Sequence, residues 1–149
     1  MLKGRILSVD FGLKRIGLAI SDPLFIIATA LDNLEAGHSV KLSAQALAKH
    51  LEVLKKEKNY SVAEIVIGLP LHMNGQESER SAMVREFASV VAELTQLPVH
   101  LFDERLSTVQ ADRALIETGF TRKKRAQVVD RVSAVIMLQT YLTQRGNIR

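Results

Sequence analysis

The first 31 residues constrain the fold most strongly. Three short apolar runs, Arg5-Ile6-Leu7-Ser8-Val9-Asp10, Ile16-Gly17-Leu18-Ala19-Ile20-Ser21 and Ile26-Ile27-Ala28-Thr29-Ala30-Leu31, follow one another across brief polar links. Runs of this length and β-branched content are strands, and links this short close hairpins but cannot carry a crossover. Phe11-Gly12-Leu13-Lys14-Arg15 is the first turn, and Asp22-Pro23 stops the second strand because proline cannot donate to a ladder. The chain is therefore expected to begin as an antiparallel three-stranded meander.

The hydrophobic period then changes. Behind Ser39, a good N-cap, Val40, Ala44, Leu47, Leu51 and Leu54 recur at helical spacing, and Lys55, Lys56 and Lys58 follow where the helix dipole favours cations. Ala63–Ile67 reads as a fourth strand ending at Gly68-Leu69-Pro70. A polar loop follows at Asn74–Ser78, then a helix carrying Met83, Val84, Phe87, Val90, Val91 and Leu94. Pro98–Phe102 reads as a fifth strand, and Ser107 is the expected cap of a helix running to Thr118, with Gly119 at its left-handed end. Thr121–Arg125 is a basic loop before a last helix from about Ala126 to Leu142. The order β-β-β-α-β-α-β-α-α predicts an α/β protein with a mixed sheet and helices on both faces.

At 149 residues with no repeat, linker or low-complexity stretch, residues 1–149 are expected to form one domain. The absence of cysteine excludes disulfides, thiol nucleophiles and Cys-ligated metal centres. No apolar run approaches a membrane span, and the N-terminus lacks a signal-peptide pattern, so the expected compartment is the cytoplasm with no membrane partner. Arg105–Arg149 holds nine Lys/Arg against three Asp/Glu, a net +6, while the remaining eleven against thirteen make −2. A basic C-terminal third suits an anionic partner, nucleic acid first, although a solvated helical face has the same composition. With 5% aromatic residues and no Trp, a base-stacking platform is not expected.

Several chemistries fail on spacing. Gly12 and Gly17 mimic a phosphate loop, but Leu18-Ala19 stands where Lys-Ser/Thr is required. The four histidines, at 38, 50, 72 and 100, show no metal-ligand spacing. An ATPase of the actin–hexokinase type shares the first hairpin pattern but needs a second phosphate loop and a longer chain. What remains is carboxylates at element ends: Asp10 closing the first strand, Asp103 and Glu104 closing the fifth, and Asp130 near the start of the last helix. If the first and fifth strands lie close, Asp10 and Glu104 converge, and the last helix can add Asp130. Clustered carboxylates raise one another's pKa unless a cation neutralises them, and magnesium suits such oxygen ligands. Two ions about 4 Å apart support phosphodiester cleavage. Taken singly, Asp10 also fits a turn, Asp103-Glu104 a solvated strand end, and Asp130 a helix-terminal charge.

Val9-Asp10-Phe11-Gly12-Leu13-Lys14-Arg15-Ile16-Gly17-Leu18-Ala19, Ile67-Gly68-Leu69-Pro70 with Met73-Asn74-Gly75, Asp103-Glu104-Arg105-Leu106-Ser107-Thr108, and Val129-Asp130 before Ser133-Ala134 closely resemble the YqgF family, also called the Holliday-junction-resolvase-like or pre-16S rRNA nuclease family. The resemblance covers almost the whole chain. It implies a ribonuclease H-like fold and a bacterial cytoplasmic nuclease that matures the 5′ end of small-subunit ribosomal RNA. It also implies an acidic triad of Asp10, Glu104 and Asp130 holding magnesium or manganese, with two ions expected. Asp103 is a further ligand candidate, although alternation along a strand points it and Glu104 to opposite faces. In this reading Lys14, Arg15, Arg105, Arg122, Lys123, Lys124 and Arg125 are expected to grip phosphates, and Gly68-Leu69-Pro70 with Asn74-Gly75 to form a loop beside the site. Structured RNA, with a pre-ribosomal particle as its setting, is the expected partner. Branched DNA is the alternative substrate, and a non-catalytic nucleic-acid-binding role in ribosome assembly or transcription is the alternative function.

Overall fold

The computed structural model describes residues 4–106 and 122–147, with side chains described for 4–106 and 133–146. Five strands, β1 (Arg5–Phe11), β2 (Arg15–Ser21), β3 (Ala28–Glu35), β4 (Val62–Leu69) and β5 (Val99–Asp103), form one sheet in the order β3-β2-β1-β4-β5. The meander is antiparallel, whereas β4 runs parallel to β1 and β5 parallel to β4. Three helices are labelled α1 (Val40–Lys58), α2 (Glu79–Thr95) and α3 (Arg122–Asn147). Among the described residues no helix is long and apolar enough to cross a membrane.

The caps form where side-chain chemistry demands them. Ser39 Oγ accepts from the Leu42 amide at 3.1 Å, and Asn59 ends α1 in the left-handed region, with φ 59°. Ser78 and Ser81 cap α2 reciprocally.

β1 is central and covered on both faces. Leu7, Val9 and Phe11 join Ile65, Ile67 and Leu69 of β4 beneath α1 and α2, where Phe11 stacks on Phe87 with ring centroids 4.4 Å apart. Ile6 and Ala19 pack on the opposite face against Ala134, Leu138 and Leu142 of α3, and Val66 and Phe102 against Met137. The buried Ser8 hydroxyl on that face donates to the Ala134 carbonyl at 2.7 Å. Gln139 clasps the start of β3 through the Ala28 amide and the Ile26 carbonyl, while Glu64 takes Arg145 and the Tyr141 hydroxyl. Helices on both faces of a mixed sheet thus match the expected architecture.

Boundaries differ in several places; β4 continues through Gly68 to Leu69, where a strand exit was expected, and Phe11, expected in the turn, belongs to β1. The third strand begins at Ala28 and runs to Glu35, because Asp22 accepts from the Ile26 and Ile27 amides and holds those residues in the turn. The basic stretch Arg122–Arg125, expected as a loop, is the first turn of α3. Lys and Arg are good helix formers, and nothing in that stretch breaks a helix. Residues 104–106 are already helical, before the expected cap at Ser107; the helix expected to follow, to Thr118 and Gly119, lies outside the described residues.

Candidate active site

β1 and β5 are not neighbours; β4 lies between them. The register nevertheless brings their C-terminal ends to one level. Asp10 pairs with Gly17 of β2 and stands one step beyond the Val9–Ile67 pair, abreast of Gly68, which in turn pairs with Phe102. Side chains alternate along a strand, so Asp10 shares the α3 face with Ile6 and Ser8. Phe102 lies on that face and Asp103, the last residue of β5, points away from it; Glu104, opening the helical turn that follows, comes back to it. The Glu104 side chain then lies across Gly68, since a Cβ built there would come within 2.3 Å of Glu104 Oε1. Glu104 and Asp10 share a hydrogen bond.

Burial, the adjacent Asp10 charge and that hydrogen bond push the Glu104 carboxyl up to about 8, against the opposing pull of Arg80. The direction of the shift favours a proton retained within the pair, on Glu104 toward Asp10. The Ser133 hydroxyl of α3 also donates to Asp10 Oδ2, at 2.5 Å. Asp10 is thus fixed from two sides, by α3 and by the residue that follows β5. Asp130 stands one helical turn before Ser133 in α3, and its side chain lies outside the described residues. Among the described residues the acids gather as a pair and no group of three forms.

Asp103 faces another partner. Its carboxylate receives the Arg105 backbone amide at 3.1 Å and the Arg105 guanidinium at 2.5 to 3.0 Å. The Arg105 guanidinium holds the Asp103 carboxyl below its usual range. Arg105 also donates to the Met73 carbonyl at 3.0 Å, pinning the loop between β4 and α2. That loop is ordered internally by Gly75 to His72 and His72 to Gln76 backbone bonds and by the Asn74 side chain on the Gln76 amide. The expected loop at Asn74-Gly75 is therefore tied to the strand end that carries Glu104.

Lys14 and Arg15 are exposed at the β1–β2 turn. Gly12 makes this turn possible, because a Cβ there would meet the Arg15 carbonyl oxygen at 2.5 Å. The side chains of Arg122, Lys123, Lys124 and Arg125 lie outside the described residues. Two polar groups at the site escape a reading from sequence. Arg80, from the first turn of α2, donates to the Phe11 carbonyl at 2.8 Å and acts on Glu104. Ser133 touches Asp10 from 123 residues away. No local pattern marks Arg80, while Ser133 enters the sequence reading only as part of the motif around Asp130, with no role attached.

The carboxylate pair suits a hard divalent cation. It presents oxygen ligands that repel each other, and a retained proton now balances the charge that a cation would neutralise.

Comparison with known proteins agrees with this frame. A curated relative from Protochlamydia amoebophila, named "Putative pre-16S rRNA nuclease", is 48% identical over 144 residues, covering 95% of this chain and 94% of its own. RuvC of Thermus thermophilus, solved in complex with Holliday junction substrate, superposes with a TM-score of 0.53 at 16% identity, covering 95% of each chain. A ROK hexokinase from the same organism gives a TM-score of 0.52 at 17% identity over 72% of this chain, which spans only 38% of the hexokinase. At such identities the two structures speak for the fold, which is the ribonuclease H-like one found in RuvC. The family model described as "RuvX: Holliday junction resolvase" matches residues 4–144, and with that extent of match the chain belongs to the RuvX (YqgF) family.

Proposed function

We propose that this protein is a divalent-metal-dependent nuclease that hydrolyses phosphodiester bonds in structured RNA, acting in the cytoplasm on the 5′ end of pre-16S rRNA. The observation that carries the reading is the Asp10–Glu104 pair, held together over Gly68 at the strand ends and fixed by Ser133. The name of the curated relatives supports the substrate. Asp10, Glu104 and Asp130 are the residues proposed to hold magnesium or manganese, as two ions. Bound there, such ions supply the positive charge that activates water and offsets charge developing on the phosphate.

The chain's own groups do the positioning. Ser133 orients Asp10 through its hydrogen bond. Arg80 sits on the backbone next to Asp10 and offers a cation to the phosphate. Lys14, Arg15, Arg105 and Arg122 through Arg125 grip flanking phosphates, and Arg105 also acts as a strut between Asp103 and Met73.

Precursor 16S rRNA and a four-way DNA junction, incubated side by side with and without magnesium, test the reading. The RNA is expected to be cut only with magnesium, and Asp10→Asn is expected to stop cutting while folding normally. Cutting of the junction with the RNA untouched moves the assignment to the resolvase activity that the family description carries. If neither is cut, the protein is a binding factor.

Affinity for RNA is expected to fall steeply with salt, with a log–log slope of roughly −0.7 to −0.9 per phosphate contact. Replacing Arg122, Lys123, Lys124 and Arg125 by Ala should flatten that slope in a filter-binding titration. An unchanged slope removes these four from the interface.

A further inference from the structure

We propose that Gly68 is a positioning residue, whose missing side chain is what lets the Glu104 carboxylate cross β4 and reach Asp10. The inference goes beyond the nuclease reading by assigning a role to an uncharged residue, and it rests on that reading only for its metal-binding consequence.

Two explanations of a glycine at this place can be separated. The first is backbone conformation, and it fails: among the described residues Gly75 is the glycine with positive φ, so the backbone at 68 is one that any residue adopts. The second is space. A Cβ at Gly68 would lie 2.3 Å from Glu104 Oε1, 2.7 Å from Cγ and 2.9 Å from Cδ, far inside contact distance along most of the side chain. Gly17, on the other side of Asp10 in the same row, provides the contrast. A Cβ there would meet nothing nearer than Asp10 Cβ at 3.5 Å, which is ordinary contact. The nearest obstacle to a side chain at 68 is therefore Glu104 in its bridging position.

The topology explains why such a gap is needed. Asp10 and Glu104 come from strands separated by β4, so the connection between them must pass over the middle strand. Any side chain pointing to the α3 face at that level stands in the path. Glycine inside a strand is otherwise unfavourable, since it gives up conformational entropy and packs nothing. A methyl group at 68 meets the flexible end of a side chain rather than backbone, so the expected consequence is a moved carboxylate within an intact fold.

The test is Gly68→Ala, characterised by its crystal structure, its thermal midpoint and its affinity for Mn²⁺ by calorimetry. The expected result is an unchanged or higher midpoint, an unaltered β4 backbone and Glu104 displaced from Asp10. Mn²⁺ affinity should fall roughly 10–100-fold, as when the support of a ligand is lost, and turnover by roughly 100-fold, as for a displacement on the ångström scale. If the Glu104 carboxylate stays on Asp10, or Mn²⁺ affinity remains within about twofold of the wild type, the proposal is wrong. Should Gly68→Ala not fold, the double variant with Glu104→Ala decides: recovery of folding supports a clash with Glu104, and continued failure refutes it. A wild-type protein that binds no Mn²⁺ defeats the metal-nuclease reading instead, and the position of Glu104 in the variant crystal then decides the role of Gly68.

Discussion

Glu104→Gln is expected to slow RNA cleavage by roughly 10³-fold, while Asp103→Asn stays within about tenfold of the wild type. The factor of 10³ corresponds to several kcal/mol of lost charge stabilisation at the proposed metal site, at about 1.4 kcal/mol per tenfold. The two carboxylates are adjacent in sequence but work on different partners. Glu104 lies over Gly68 against Asp10, whereas Asp103 takes the Arg105 guanidinium. That ion pair is about a third exposed on each side, so its loss costs little by itself and acts through the loop that Arg105 pins at Met73. Single-turnover rates across a magnesium titration check the contrast, because a weakened ligand set is rescued at high metal and a lost one is not. A dead Asp103→Asn beside an active Glu104→Gln would reverse the assignment.

Without divalent ions, the protein is expected to lose stability as pH rises from about 4.5 to about 8. The sign follows from the Glu104 carboxyl, raised from 4.5 in the unfolded chain to about 8 by burial and by Asp10. The folded state binds that proton more tightly, so the stabilisation is complete below pH 4.5 and is gone once pH passes 8. Its size is on the order of 4 kcal/mol, or roughly 10 °C in Tm for a domain of this length. Glu104→Gln keeps a donor toward Asp10 and cannot ionise, so its Tm should be flat over this window and exceed that of the wild type at pH 8. Added magnesium should restore the wild type at pH 8, because a cation relieves the repulsion that the proton relieves at lower pH. Scanning calorimetry in chelator at several pH values measures all three, and parallel pH profiles for the two proteins would refute the linkage.

The remaining residues mark where local and distant information part. Most of the described elements were legible in the sequence because their causes are local. Short links make β1, β2 and β3 a meander, and Ser39 caps its helix. Asp10, at the end of the central strand, could be picked out for the same reason. Only the tertiary structure decided which strand lies between β1 and β5, and with it the role of Gly68. In the sequence Gly68 ends a strand at a loop expected beside the site; in the sheet it lies within β4, as the gap through which Glu104 reaches Asp10. Arg105 looks like a phosphate ligand by position, and only the fold shows that it also ties Asp103 to the Met73 carbonyl. Arg80 and Ser133 arrive at the site from elements 69 and 123 residues away from their partners. Periodicity and capping report on neighbours a few residues apart, whereas the site is made by strand register and helix docking between segments with no local link. Its acidic ends were therefore visible in advance, and the contacts that join them were not.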